Sequence, residues 1–191
     1  MKEISYRRGV KGEGLRVAEL ILMAWPVEEF LASVPDSTYE DLHMIVAQLV
    51  DSEDNIYSYQ NMVVAVDVES GQPVGALCGY DGAKYKTLKA KALKALGMSL
   101  DSAFGRVQEA LPEQFYLDSV GVDSNYRGHG IASQLFKEQI AFAKTSGASE
   151  VGLIVDFDKE KARALYEHLG FQVSGEMDFM GHPMHRMTYF F

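Results

Sequence analysis

Val120-Gly121-Val122-Asp123-Ser124-Asn125-Tyr126-Arg127-Gly128-His129-Gly130-Ile131-Ala132 is the stretch on which the reading of this chain turns. A β-branched apolar strand ends, a glycine-bearing turn follows, and a helix begins at once. Gly128 and Gly130 lack a Cβ, so the backbone there is free to adopt unusual angles and to approach a ligand closely. The first turn of a helix leaves amide donors without partners at the positive end of its dipole, and the two effects together suit a phosphate. Arg127 adds a formal positive charge. Two common phosphate loops do not fit. No Gly-Lys-Ser/Thr follows, and Ala132 and Ser133 replace the spacing of a dinucleotide fingerprint, with no strand ended by Asp or Glu at the expected place.

Outward from this loop, a strand is predicted over Phe115–Val122 and a helix from about Gly130 to Ser146, closed by Gly147. A buried strand Val151–Val155, a helix Lys159–Leu169 closed by Gly170, and a strand opening at Phe171 follow. The last strand, Met184–Phe190, follows a Gly181-His182-Pro183 turn. Toward the N-terminus the pattern predicts a strand Ile4–Gly9 and a helix Glu13–Ala24 stopped by Pro26, with Leu15, Ala18, Leu22 and Trp25 near helical spacing. A second helix capped by Asp36 or Ser37 runs to about Asp51, and Ser52–Asn61 reads as a polar loop. Met62–Asp67 and Pro73–Tyr80 read as a hairpin. Lys84–Leu96 is helical, closed by Gly97, with a second short helix before Pro112. The whole of 1–191 reads as one mixed α/β (α+β) domain with a helical insertion at 84–112.

The loop resembles a known family. Arg127-x-x-Gly130-x-Ala132 matches the (Gln/Arg)-x-x-Gly-x-(Gly/Ala) loop of the GNAT family of N-acetyltransferases, preceded by the strand end Val120-Gly121-Val122. Downstream, Ala162-Arg163-Ala164-Leu165-Tyr166-Glu167-His168-Leu169-Gly170-Phe171 is similar to that family's A-x-x-L-Y-E-x-x-G-F element. The close match covers about a third of the chain. The resemblance implies a mixed central sheet of about six to seven strands flanked by helices, and acetyl-CoA as co-substrate. It also implies that Val120, Gly121 and Val122 pair with the pantetheine arm. Amides from Gly128, His129, Gly130, Ile131, Ala132 and Ser133, with Arg127, would hold the pyrophosphate. Tyr166 would be the general acid toward the leaving thiolate. One position departs from the pattern: Lys159 stands where the family often has Asn.

Attack of an amine on a thioester needs a group to remove a proton. Asp118, four residues before Val122 and on the same strand face by the period of two, is the first candidate base. Asp156 at the end of the next strand is the second. The reaction needs no metal, and His182 and His185, three apart after a turn, are expected at the surface or rim, or against the acceptor. The acceptor expected is the primary amine of a small molecule. A protein N-terminus or lysine is the alternative within the same chemistry, and a non-catalytic acyl-CoA sensor is the alternative outside it. A homodimer is compatible with the sequence.

Composition narrows the setting. Of 191 residues, 47% are hydrophobic and 24% charged, a soluble globular balance. Net charge is -9, which argues against nucleic acid as a partner. The longest apolar run, Ala18–Trp25, is broken by Glu19 and too short to cross a membrane. The N-terminal residues show no export signal. Cys78 is the one cysteine and sits in an apolar run, so it reads as buried core, without a disulfide and in a cytoplasmic setting. Ten Asp/Glu and no Lys/Arg lie between Glu28 and Glu69, a stretch that reads as a solvated face or, more sharply, as the flank of a pocket for a cationic amine.

Overall fold

In the computed structural model, which describes every residue but Met1 and Pro35, seven strands form one mixed sheet in the order β1-β2-β3-β4-β5-β7-β6. The strands are β1 (Ile4–Arg8), β2 (Met62–Asp67), β3 (Pro73–Asp81), β4 (Phe115–Val122), β5 (Glu150–Asp156), β6 (Gln172–Phe179) and β7 (His182–Phe190). The helices are α1 (Gly14–Leu22), α2 (Val27–Ser33), α3 (Tyr39–Val50), α4 (Tyr85–Ala95), α5 (Ala103–Arg106), α6 (Ile131–Thr145) and α7 (Glu160–His168). Only β4 and β5 are parallel neighbours; the other pairs are antiparallel. No helix among the described residues is long and apolar enough to cross a membrane.

The strand period of two explains why two cores form. Met62, Val64, Val66, Ala76 and Cys78 face α1 and α3, whereas Val63, Ala65, Val74 and Leu77 face α6. Both faces of β2 and β3 are therefore covered, which is why these strands read as continuous apolar runs. Cys78 is fully buried, its thiol against the Ile56 carbonyl at 3.2 Å. Gly121 sets how closely α1 approaches β4: a Cβ there would come within 1.8 Å of the Leu20 carbonyl oxygen.

Several elements depart from the sequence reading. Pro26 does not only stop α1; it stands at the N-cap of α2, which buries Phe30 and which no sequence signal announced. Thr38, not Asp36 or Ser37, caps α3. Its hydroxyl accepts from the Asp41 amide at 3.1 Å while Asp41 accepts from the Thr38 amide at 3.0 Å. The last hairpin turns at Met180 and Gly181, both at positive φ (56° and 92°), so His182 and Pro183 already belong to β7. The polar segment 52–61 tucks Asn55, Ile56 and Ser58 into the interior. Leu15 is exposed, because α1 buries Val17, Ala18, Leu20, Ile21 and Leu22 instead.

Candidate active site

Strands β4 and β5 pair at only two positions, Phe115 with Val151 and Tyr116 with Gly152, and then part. The parting begins at a bulge. Leu77 faces Val120 and Gly79 faces Leu117, so Cys78 is opposed by both Asp118 and Ser119. The bulge resets the alternation. Val120 and Val122 share the α6 face with Leu77, while Asp118 and Ser119 turn to the other face, beside Tyr80 and Trp25. The expectation that Asp118 shares a face with Val122 is thus corrected.

The same register fixes the polar groups. The Asp123 amide donates to the Val74 carbonyl at 2.9 Å. Alternation along an antiparallel ladder then turns the amides and carbonyls of Val120 and Val122 away from β3, toward the gap left by β5. Gly121 does not join them, since its backbone groups face β3 and its Cα packs on α1.

At the end of β4 the chain gathers a run of unpaired amides. Gly128 and Gly130 both sit at positive φ (79° and 76°), and Gly130 is the N-cap of α6. The first helical bond runs from the Gln134 amide to the Gly130 carbonyl. The six amides from Gly128 to Ser133 find no acceptor among the described residues. No acidic side chain occupies the first turn of α6 to offset its positive end. The His129 ring turns back on its own loop, Nδ1 lying 2.9 Å from the Arg127 carbonyl. Arg127 Nε donates to the Val122 carbonyl at 3.1 Å, so its guanidinium lies over the strand end. Asp123 anchors the loop, accepting from the Asn125 amide and from Arg16; these bonds hold its carboxyl below the usual range.

A cavity of about 550 Å³ opens beside the parted strands. Val120, Val155, Asp156 and Tyr166 line it on one side, Lys159 stands at the N-cap of α7 on its rim, and Trp25, Phe30, Tyr57 and Phe104 line the other side. The Tyr166 ring packs on Phe136 (centroids 5.1 Å apart) and Phe171 (6.2 Å). Burial pushes its phenol up to about 12.

Two carboxylates that feel each other's charge line the cavity. Asp118 accepts from the Ser119 hydroxyl at 2.6 Å and the Tyr80 hydroxyl at 2.9 Å, and Ser119 Oγ in turn accepts from Trp25 Nε1 at 3.1 Å. Glu109 accepts from the Tyr85 hydroxyl at 3.1 Å and the Tyr116 hydroxyl at 3.5 Å. Burial raises both carboxyls. Glu109 reaches about 7 from an ordinary 4.5, with the Asp118 charge as the second cause. Such neighbours titrate as a pair. Lys89 donates to the Tyr85 hydroxyl at 2.8 Å and to the Val107 carbonyl at 2.7 Å, and its burial lowers its own pKa. Sequence reading missed Glu109. It lies in an irregular segment between α5 and β4, where neither periodicity nor motif marks it; its one signal is a lone acid beside Ala110, which is wholly buried.

The acidic stretch from Glu28 to Glu69 does not supply this chemistry. Only Glu29 reaches the cavity wall. Asp51 accepts from the amides of Gly12 and Gly14, Asp41 completes the α3 cap, Glu53 accepts from Tyr59, and Asp67 accepts from Tyr126. Glu109, Asp118 and Asp156 are the other carboxylates in the lining. His182 stands at the rim, Nε2 at 3.2 Å from Glu29 and Nδ1 at 3.8 Å from Asp156. His185 is half-buried: its ring stacks on Phe157 at 3.9 Å and its Nδ1 is buried without a partner among the described residues.

Comparison with known proteins identifies the fold. The model of the Acetyltransferase (GNAT) family matches residues 20–171. N-acetyltransferase 8 of Mus musculus is 31% identical over 159 residues, 82% of this chain and 57% of that protein. N-alpha-acetyltransferase 30 of Schizosaccharomyces pombe is 38% identical over 56 residues, 29% of this chain and 37% of that protein. The chain thus spans 57% or less of the length of these two relatives in the matched regions. Among solved structures, one described as the crystal structure of acetyltransferase superposes with a TM-score of 0.80 at 29% identity, covering 97% of this chain and 98% of that one.

Proposed function

The chain belongs to the GNAT acetyltransferase family, and on that premise we propose that it transfers an acetyl group from acetyl-CoA to the primary amine of a small molecule. The observation that carries this reading is the parting of β4 from β5 beside six unpaired amides. An extended arm fits the gap, where the Val120 amide and carbonyl and the Val122 amide offer donors and an acceptor as a strand edge does, the Val122 carbonyl being held by Arg127. A pyrophosphate fits the amides from Gly128 to Ser133, with Arg127 alongside. Acetyl-CoA supplies an activated acyl carbon. The chain's residues do the rest: the Glu109–Asp118 pair takes the proton of the incoming amine, with one carboxyl poised near neutrality. The Tyr166 hydroxyl, protonated throughout the neutral range, donates to the sulfur as charge develops there.

A protein N-terminus is the second reading, supported by the name of the fission-yeast relative. The aromatic wall at Trp25, Phe30 and Phe104 and the His182–Glu29 contact across the rim favour a small acceptor.

Thermal melting with CoA, then incubation with acetyl-CoA and an amine panel read by mass spectrometry, tests the reading. At a hundredfold excess over its dissociation constant, CoA should stabilise the fold by about 2.7 kcal/mol. Stabilisation without acetylated product from any amine would mark an acyl-CoA sensor. No stabilisation would remove CoA as the ligand.

A further inference from the structure

The lining of the cavity is of two kinds. One part carries Glu109 and Asp118; another is a contiguous aromatic sleeve. Trp25 lies 5.0 Å from Tyr57 and 6.0 Å from Phe30, and Phe30 lies 5.6 Å from Phe104, ring centroid to ring centroid. Leu93 and Leu96 of the α4 segment complete it, and none of these six side chains carries a charge. Resting on the transferase reading above, we propose that the acceptor is an apolar primary monoamine, its ring-bearing or aliphatic body in the sleeve and its ammonium against Glu109 and Asp118.

Charge balance at the Glu109–Asp118 pair supports one cationic head. With both carboxyls ionised, the pair and the Lys89 ammonium together leave a single negative charge. Lys89 does not cap the carboxylates directly, because its hydrogens go to the Tyr85 hydroxyl and the Val107 carbonyl. One ammonium therefore neutralises this pair, and a second would find carboxylates only at Glu29 and Asp156, which already face His182 at 3.2 Å and 3.8 Å. A polyamine would have to carry its further charge past the uncharged sleeve to reach them. A peptide would bring backbone amides there, and the sleeve offers them few acceptors. An apolar body loses nothing on leaving water and gains contact with aromatic faces, while the ring faces also favour a nearby cation.

The transfer balances. The ammonium gives one proton to the Glu109–Asp118 pair and through it to solvent. The freed lone pair forms the N–C bond to the acyl carbon as the C–S bond breaks. The second proton leaving nitrogen is matched by the proton that the departing sulfur receives from Tyr166.

Calorimetry of the full chain with CoA present, titrated with propylamine to hexylamine, phenethylamine, spermidine and a short peptide with a free N-terminus, tests this directly. Affinity should rise about fourfold per added methylene along the alkyl series. Phenethylamine and hexylamine should bind at least about tenfold more tightly than spermidine or the peptide. Phe104→Ala, at a partly buried position on a short helix, should weaken hexylamine and leave propylamine unchanged. Glu109→Gln should weaken every amine alike. Spermidine or peptide binding as tight as hexylamine, or a flat alkyl series, would overturn the proposal. In that event, continued CoA binding and acetylation of the polar amine would leave the transferase reading standing, whereas loss of CoA binding would remove that reading first.

Discussion

The Tyr80 hydroxyl donates to Asp118 Oδ2 at 2.9 Å, reaching from β3 to the bulge of β4. A donor to a carboxylate favours its ionised form, opposing the burial that raises Asp118. Tyr80→Phe should therefore raise the Asp118 carboxyl further. Activity that needs the ionised carboxyl is lost as pH falls through that pKa, so the acid limb of kcat/KM should move to higher pH. A pH profile of the variant checks this, and a shift to lower pH would contradict the role of the hydrogen bond.

Glu109 makes the fold itself pH-dependent. Its carboxyl stands at about 7 in the folded chain against an ordinary 4.5. The folded state thus holds the proton more tightly, and this stabilising contribution, complete below about 4.5, is lost as pH rises through about 7. Glu109→Gln should leave the thermal midpoint nearly unchanged at pH 5 and raise it at pH 8, by at most about 3 kcal/mol in stability. Melting curves at the two pH values decide it.

Gly121→Ala tests the close approach of α1 to β4. The added Cβ would meet the Leu20 carbonyl at 1.8 Å, and backbone cannot rotate away as a side chain does. The expected loss is about 2–4 kcal/mol, with α1 displaced. Urea unfolding measures it. A cost below about 0.5 kcal/mol would mean that the helix slides freely on the strand.

Tyr166→Phe keeps the ring packed on Phe136 and Phe171 and removes the hydroxyl. Turnover should fall about a hundredfold while CoA affinity and melting temperature stay near those of the parent. Unchanged turnover would assign Tyr166 to packing alone.

The sequence made legible whatever rests on local signals. β4 has the expected bounds, Phe115–Val122, and the loop into α6 shows the positive φ at Gly128 and Gly130 that two glycines before a helix suggest. What escaped depends on partners distant in sequence. The bulge that turns Asp118 away from Val122 exists only because β3 supplies one residue where β4 supplies two. Glu109 acquires its character from burial beside Asp118, Tyr85 and Lys89, none of which is its sequence neighbour. Pro183 suggested a turn, yet it sits in β7 opposite Asp178, and its carbonyl accepts from the Phe157 amide. The acidic run left a solvated face and a pocket both open; Asp41 caps a helix and Asp51 tethers a loop, while Glu29 reaches the cavity.

The two rungs that join β4 to β5 have a mechanical consequence. One half-sheet, β1 to β4, and the other, β5 to β7, are each fully laddered, but across their seam only Phe115–Val151 and Tyr116–Gly152 pair. Past those rungs the halves are joined by α6, by Arg186, which donates to the Gln108 and Glu109 carbonyls, and by the shared cluster of Leu117, Leu135, Phe136, Leu153 and Met187. Apolar packing resists separation but does little to resist sliding or twisting about a short hinge. A molecule lodged in the seam would act as mortar, replacing the missing rungs and turning two plates into one. Amide exchange in β5 and β7 should then slow when CoA binds, far beyond the residues it touches.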